Sequence, residues 1–321
     1  MQLSEIKGIA YRGEEGEFLQ NSWREVMDLS EVPFVYHDMA DFKNKIIYYE
    51  SSRGCPFSCS YCLSSIDKCL RFRKLELVEK ELQFFIDEEV PQVKFVDRTF
   101  NCNHKHAIAI WKYIKEHDKG ITNFHFEVAA DLLNEEELKL IESMRPGLIQ
   151  LEIGVQSTNE QTIREIRRTM RFEEVARIVQ RINQGENVHQ HLDLIAGLPY
   201  EGMESFQKSF DDVYRLHPEQ LQLGFLKVLK GSYMESQKER YGLVYKSRPP
   251  YEVLYTNWLS YEEMMRLKSV EEMVEVYYNS GQFSYCLRKL EEEYASPFVL
   301  YQELGRYYEN HELHLMSHSR I

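Results

Sequence analysis

The chain has little that would attach it to a membrane or to a polyanion. In 321 residues no apolar run reaches the length a bilayer span requires, and Met1 to Ala10 lack the charged start and apolar centre of a secretory signal. These absences point to a cytoplasmic protein with no membrane partner. Positive charge is also scarce: 39 Lys and Arg stand against 52 Asp and Glu, a net charge of −13. Phosphate backbones are gripped by surplus cations, so a nucleic-acid partner is disfavoured. Neither common glycine-rich nucleotide loop occurs. Cysteine is sparse too, and the distribution of the few carries the chemistry.

Three of the six cysteines fall in one stretch, Ser51-Ser52-Arg53-Gly54-Cys55-Pro56-Phe57-Ser58-Cys59-Ser60-Tyr61-Cys62. Thiols this crowded can turn toward a single point, which scattered disulfides would not need. Structural zinc wants four protein ligands and catalytic zinc three plus water, whereas an iron–sulfur cube usually takes four thiolates. No fourth Cys or His follows at the usual spacing, because Cys69 comes after Asp67 and Lys68 and breaks the Cys-x-x-Cys rhythm. A cube held by three thiolates keeps one iron open for a substrate or cofactor. A structural zinc or iron–sulfur loop is the competing reading. Cys69, Cys102 and Cys286 stand apart and read as buried structural thiols, and the set as a whole suits a reducing compartment.

Cys55-x-x-x-Cys59-x-aromatic-Cys62, with Tyr61 as the aromatic, resembles the signature of the radical S-adenosylmethionine enzymes. The resemblance implies a [4Fe-4S] cluster on Cys55, Cys59 and Cys62. Its open iron would chelate the amino and carboxylate groups of S-adenosylmethionine, and one electron would cleave the sulfonium to a 5′-deoxyadenosyl radical. It also implies a protein electron donor such as flavodoxin or ferredoxin.

Along the chain, residues 1–44 carry Gly8, Gly13, Gly16 and Pro33 with one weak strand-like run at Lys7 to Tyr11. This segment resembles the connector that follows the cobalamin-binding domain in the cobalamin subgroup, whose upstream domain the chain lacks. From Lys45, short β-branched or aromatic runs alternate with segments of helical apolar spacing. The expected strands are Ile46–Glu50, Gln92–Asp97, Phe124–Val128, Leu148–Val155, His189–Ile195 and Gln220–Val228. Six β-α units in a row predict an α/β fold, a parallel sheet curled into a partial (β/α)6 TIM-like barrel over 45–232. Residues 233–321 read as a helical C-terminal extension without strand alternation, with amphipathic helices at Tyr261–Asn279 and Phe283–Ala295. The tail histidines His311, His314 and His318 read as a polar terminus.

Functional groups of parallel barrels gather where strands end. After the second strand comes Asp97-Arg98-Thr99-Phe100-Asn101, where the family's usual Gly-Gly-Glu is missing; the resemblance assigns Asp97 and Asn101 to the cofactor. Glu127 on the third strand would be costly to bury unpaired and calls for a cationic or hydroxyl partner. The fourth strand ends in Gly154-Val155-Gln156-Ser157, similar to a stretch of many family members, and offers Gln156 and Ser157 as polar contacts. The following helix resembles the one whose final Arg pairs with the cofactor carboxylate, which selects Arg168. Gly197-Leu198-Pro199-Tyr200-Glu201 is similar to the family's Gly-Leu-Pro-x-Glu turn.

The expected function is cofactor cleavage for hydrogen abstraction from a small-molecule or peptide substrate. Cobalamin-dependent methylation leads if an upstream cobalamin domain belongs to the natural protein. The alternatives are an RNA-modifying enzyme of the methylthiotransferase type and a non-catalytic iron–sulfur or zinc module.

Overall fold

The computed structural model describes residues 2–43 and 45–315; the tail residue His318 lies outside them. Six strands form one parallel sheet: β1 (Ile47–Tyr49), β2 (Gln92–Phe95), β3 (Asn123–Val128), β4 (Ile149–Gln156), β5 (His189–Ala196) and β6 (Gln220–Phe225). Their spatial order is their chain order. Each neighbouring pair is parallel, so every connection is a crossover. β6 and β1 are not paired with each other, which leaves the barrel open on one side.

The crossovers are α1 (Leu75–Asp87), α2 (His104–Glu116), α3 (Glu135–Glu142), α4 (Glu160–Glu165) with α5 (Phe172–Asn183), and α6 (Met203–Tyr214). Their apolar residues recur at helical spacing; α5 buries Val175, Ile178, Val179 and Ile182 on one face. At the start of α3, the Asn134 side chain accepts from the amides of Glu136 and Glu137, and the Glu137 carboxylate accepts the Asn134 amide. That reciprocal cap satisfies donors the helix leaves open. On β4, Ile149, Leu151, Ile153 and Val155 are buried, while Gln150, Glu152 and Gly154 alternate with them. The period of two places apolar side chains against the helices and polar ones toward the barrel interior.

The N-terminal segment is docked rather than free. The buried Arg73 guanidinium donates to the carbonyls of Leu29 and Val32, both at 2.8 Å, and pairs with Glu81 of α1. The strand-like run is shifted from its expected place: Ala10–Arg12 pairs antiparallel with Phe18–Gln20, a partner strand the sequence did not reveal.

The C-terminal extension departs from the all-helical expectation. Val244–Tyr245 and Val253–Tyr255 form an antiparallel hairpin, and an isolated bridge joins Glu252 to Lys227 just beyond β6. The hairpin therefore takes up Leu226–Val228, which the sequence reading gave to the sixth strand. After the short α7 (Tyr233–Ser236), α8 (Tyr261–Met273) runs into a wide π turn over Val274–Asn279, followed by α9 (Ser284–Glu291) and an unexpected α10 (Pro297–Asn310). Ser296 caps α10 and Pro297 occupies its first turn, where the missing amide costs nothing.

Candidate active site

One cleft opens at the C-terminal ends of the strands, enclosing about 870 Å³ of space continuous with solvent. Cys55, Cys59 and Cys62 all line it. Their loop leaves β1 and is pinned at several points: the Cys55 amide donates to Asp67 O (3.1 Å), Ser60 N to Ile166 O (2.9 Å), and Met234 N to Ser60 O (2.8 Å). Gly54 turns the loop with φ +96°, and a Cβ there would sit 2.5 Å from the Cys69 carbonyl oxygen. Backbone this close admits only glycine. Burial pushes the Cys55 thiol up, and the neighbouring thiols Cys59 and Cys62 add to that. Holding three thiolates here therefore requires a compensating cation, the role a metal cluster fills.

Opposite the loop stands Arg168. α4 ends in a left-handed turn at Arg167 (φ +58°), with Arg167 N bonded to Arg164 O and Arg168 N to Ile163 O. This double closure reverses the chain and carries Arg168 back into the cleft. Its guanidinium donates to the Gly154 carbonyl and reaches Tyr61 Oη at 3.4 Å and Cys59 Sγ at 3.9 Å. Burial opposes the charge of Arg168, but Tyr61 and Cys59 outweigh it and hold its pKa above the usual value. Arg168 Nε nevertheless has no hydrogen-bond partner among the described residues, and neither does the buried Gln156 Oε1.

Gln156 owes its position to a β-bulge. The β4–β5 register shifts between Gly154 and Gln156, and Gln156 adopts φ +72°. Such backbone is uncommon for a side-chain-bearing residue and is tolerated where function or packing imposes it. A Cβ at Gly154 would lie 2.2 Å from Gln156 Nε2 and 3.4 Å from Arg168 Nη2, so glycine leaves the room those two side chains occupy.

Of the site residues expected from the sequence, the structure brings Cys55, Cys59, Cys62, Tyr61, Glu127, Gln156 and Arg168 to this one cleft. Three others are placed behind it. Asp97 is fully buried and accepts from Ser51 N (2.9 Å), Ser51 Oγ (2.7 Å) and Ser52 Oγ. It braces the root of the cysteine loop, and burial lifts its pKa to about 6. Asn101, equally buried, exchanges two hydrogen bonds with the Ala129 backbone (2.9 and 3.0 Å). Ser157 donates to Glu201. All three are capping or bracing groups, the roles short polar side chains take readily near backbone turns.

The cleft also holds residues the motifs did not single out: Arg98, Asp131, Glu152 and Asp193. The signal was available in the period-two alternation, since Glu152 shares a face with Gly154 on β4. Burial and then the neighbouring Glu152 raise Glu127 to about 7. Glu152 is held down at about 2 despite its burial by His125 and Lys94.

Comparison with known proteins decides the family. The profile of the radical SAM superfamily matches residues 49–213, just over half of the chain. The chain belongs to the radical SAM superfamily. Residues 239–321 match a second family, described as a protein of unknown function (DUF4080). A similar curated protein is an uncharacterized methyltransferase of Pyrococcus horikoshii, 30% identical over 156 residues, which cover 46% of this radical SAM chain and 33% of that protein. Another is the cobalamin-dependent radical SAM methyltransferase TokK of Streptomyces tokunonensis, 24% identical over 61% of this chain and 30% of that one. The matches thus span about a third of these relatives' lengths. Among solved structures, the cobalamin-dependent S-adenosylmethionine radical enzyme OxsB, with aqua-cobalamin and S-adenosylmethionine bound, superposes with TM-score 0.66 at 17% identity. It covers 97% of this chain and 52% of that one. The radical S-adenosylmethionine methyltransferase TsrM of Kitasatospora setae, with cobalamin and a [4Fe-4S] cluster bound, gives TM-score 0.61 at 15% identity, over 77% of this chain and 51% of that one. These likenesses establish the radical SAM partial barrel as the fold. Among the described residues no helix is long and apolar enough to cross a membrane.

Proposed function

We propose that the chain is the catalytic barrel of a cobalamin-dependent radical SAM methyltransferase. Cys55, Cys59 and Cys62 would hold a [4Fe-4S] cluster, and S-adenosylmethionine would lie between them and Arg168. When bound, the cluster supplies the single electron that cleaves S-adenosylmethionine for hydrogen abstraction. The observation that carries the reading is the pair of unsatisfied buried atoms, Arg168 Nε and Gln156 Oε1, in the cleft that also holds the three thiols. A donor and an acceptor left open in one cleft suit the carboxylate and ammonium of an amino acid, such as the methionyl end of S-adenosylmethionine.

The protein's own part is orientation and exclusion of water. Tyr61 and the Gly154 carbonyl hold the Arg168 guanidinium in place. Asp97 fixes the loop root through its three donors, and Asn101 fixes the start of the segment after β3 through the Ala129 backbone. Glu127, Asp131 and Arg98 border the same chamber and would supply polar contacts to a substrate. Methyl transfer is favoured by the methyltransferase names of the relatives, and cobalamin would come from a domain upstream of residue 1. The reductant would be a flavodoxin or ferredoxin, in a reducing compartment such as the cytoplasm.

Anaerobic reconstitution with iron and sulfide tests the reading. A four-iron paramagnetic signal that changes on adding S-adenosylmethionine, with 5′-deoxyadenosine formed under a strong reductant, is expected. Four irons retained with no response to S-adenosylmethionine would leave the chain a cluster-binding module.

A further inference from the structure

Below the cleft, the barrel interior gathers a second set of metal-ligating side chains. His125 stands on β3, Glu152 on β4 and His191 on β5, with Glu152 directly across from His191 in the sheet register. Their ligand atoms all lie within 4.8 Å of one another. Both histidines are only 6% exposed. His125 Nε2 is 3.0 Å from Glu152 Oε2, and His191 Nε2 is 3.0 Å from Asp193 Oδ1. Neither approach is aligned as a ring N–H hydrogen bond, so both Nε2 atoms and Asp193 Oδ1 remain buried polar atoms without a hydrogen-bond partner among the described residues. Contacts of 3.0 Å without hydrogen-bond alignment leave these three buried atoms incompletely satisfied, and a single cation among them would take up all three.

We propose that these residues form a mononuclear divalent-metal site of the zinc class, with His125 Nε2, His191 Nε2 and Glu152 as ligands and Asp193 beside them. Two imidazoles with one carboxylate is a ligand set that zinc takes in catalytic sites, leaving one position open. Glu152 and Asp193 also line the cleft, so the open position belongs to the chamber in which a substrate would lie. Lys94 Nζ, 2.8 Å from the same Glu152 Oε2 that His125 approaches, orients the carboxylate, as charged or hydrogen-bonding partners do for ligating carboxylates. The same lysine defines the rival arrangement, in which Lys94 is itself the cation of an internal ion-pair network and no metal enters. This site uses none of the cluster cysteines, and the inference stands or falls separately from the cofactor reading.

The test is zinc content by mass spectrometry on full-length protein whose cluster has first been reconstituted, after exposure to zinc sulfate and removal of loose metal with a weak chelator. One equivalent of zinc is expected in the wild type, falling about tenfold or more in His191→Gln and His125→Gln with cluster iron unchanged. Retention of zinc by both variants would overturn the site. So would zinc appearing only in Lys94→Met, which would identify Lys94 as the resident cation. If a variant fails to fold, X-ray absorption at the zinc edge of the wild type still decides. Nitrogen and oxygen neighbours at about 2.0–2.2 Å support the site, whereas sulfur at about 2.3 Å would show zinc in the cysteine loop instead.

Discussion

Ser157 Oγ donates a 2.6 Å hydrogen bond to Glu201 Oε1 behind the cleft, tying the end of β4 to the Gly-Leu-Pro-Tyr-Glu turn after β5. Ser209 of α6 donates to the same oxygen at 2.8 Å, so the end of β4, the turn after β5 and α6 meet at one carboxylate. Glu201 is fully buried with no cation beside it among the described residues, and burial lifts its pKa from 4.5 to about 7 while the two serines pull it down.

That position makes stability fall with pH. A raised folded-state pKa means the native protein holds its proton more tightly than the unfolded chain. The stabilisation is therefore full below about pH 4.5 and is lost as pH rises through about 7. Glu201→Gln keeps an acceptor for both serines without the charge. In urea titrations the variant should match the wild type near pH 4 and exceed it by about 3 kcal/mol near pH 8. A wild-type advantage that grows with pH would show Glu201 ionised and paired.

Asp97 carries the cysteine loop in a similar way. Replacing it with Ala leaves the Ser51 amide and two serine hydroxyls without their acceptor at a fully buried site. Each orphaned group costs about 1–3 kcal/mol. Asp97→Ala should lower stability by several kcal/mol and leave less than half the wild-type iron after reconstitution and desalting. Asp97→Asn, which preserves an acceptor, should recover part of both. Wild-type iron retention in the Ala variant would detach Asp97 from the loop.

Much of the barrel was legible because its signals are local. Each strand combined β-branched or aromatic residues with a following helix of regular apolar spacing. The cysteine spacing was legible for the same reason, and Gly154 and Gln156 through their motif. What stayed hidden depended on partners distant in sequence. Asp97 and Asn101 look like cofactor contacts in a polar run, yet their acceptors and donors are claimed by Ser51 and Ala129, which follow other strands. Phe18–Gln20 forms a strand only because Ala10–Arg12 lies beside it. The hairpin at Val244–Tyr255 is similarly two short runs that gain their hydrogen bonds from each other and from Leu226 and Val228.

Gly54 offers a test of the loop that leaves every ligand in place. A Cβ at this residue would meet the backbone oxygen of Cys69 at 2.5 Å, on top of a left-handed φ of +96°. Gly16 has a comparable φ of +81° with nothing within 4 Å. Gly16→Ala should therefore cost only the conformational penalty of about 1–2 kcal/mol. Gly54→Ala should displace the Cys69 backbone and lose most of the cluster iron, with both outcomes read by iron analysis and thermal unfolding. Equal behaviour of the two variants would mean the Cys69 contact yields easily.

Arg168 separates cofactor binding from cluster binding. It touches the thiol of Cys59 and the hydroxyl of Tyr61 but supplies no ligand, so its removal should spare the iron. Arg168→Met keeps the apolar stem and deletes the charge-assisted donors, each worth about 1.5–3 kcal/mol to a charged acceptor. S-adenosylmethionine affinity of the reconstituted protein should then fall roughly 10- to 100-fold. Arg168→Lys should not restore it, because the ammonium cannot bond the Gly154 carbonyl and still present a planar pair of donors to a carboxylate. Equilibrium dialysis with the labelled cofactor, alongside iron analysis, reads both quantities. Undiminished affinity in the Met variant would place the carboxylate elsewhere in the cleft, and loss of iron together with affinity would make Arg168 a support for the loop itself.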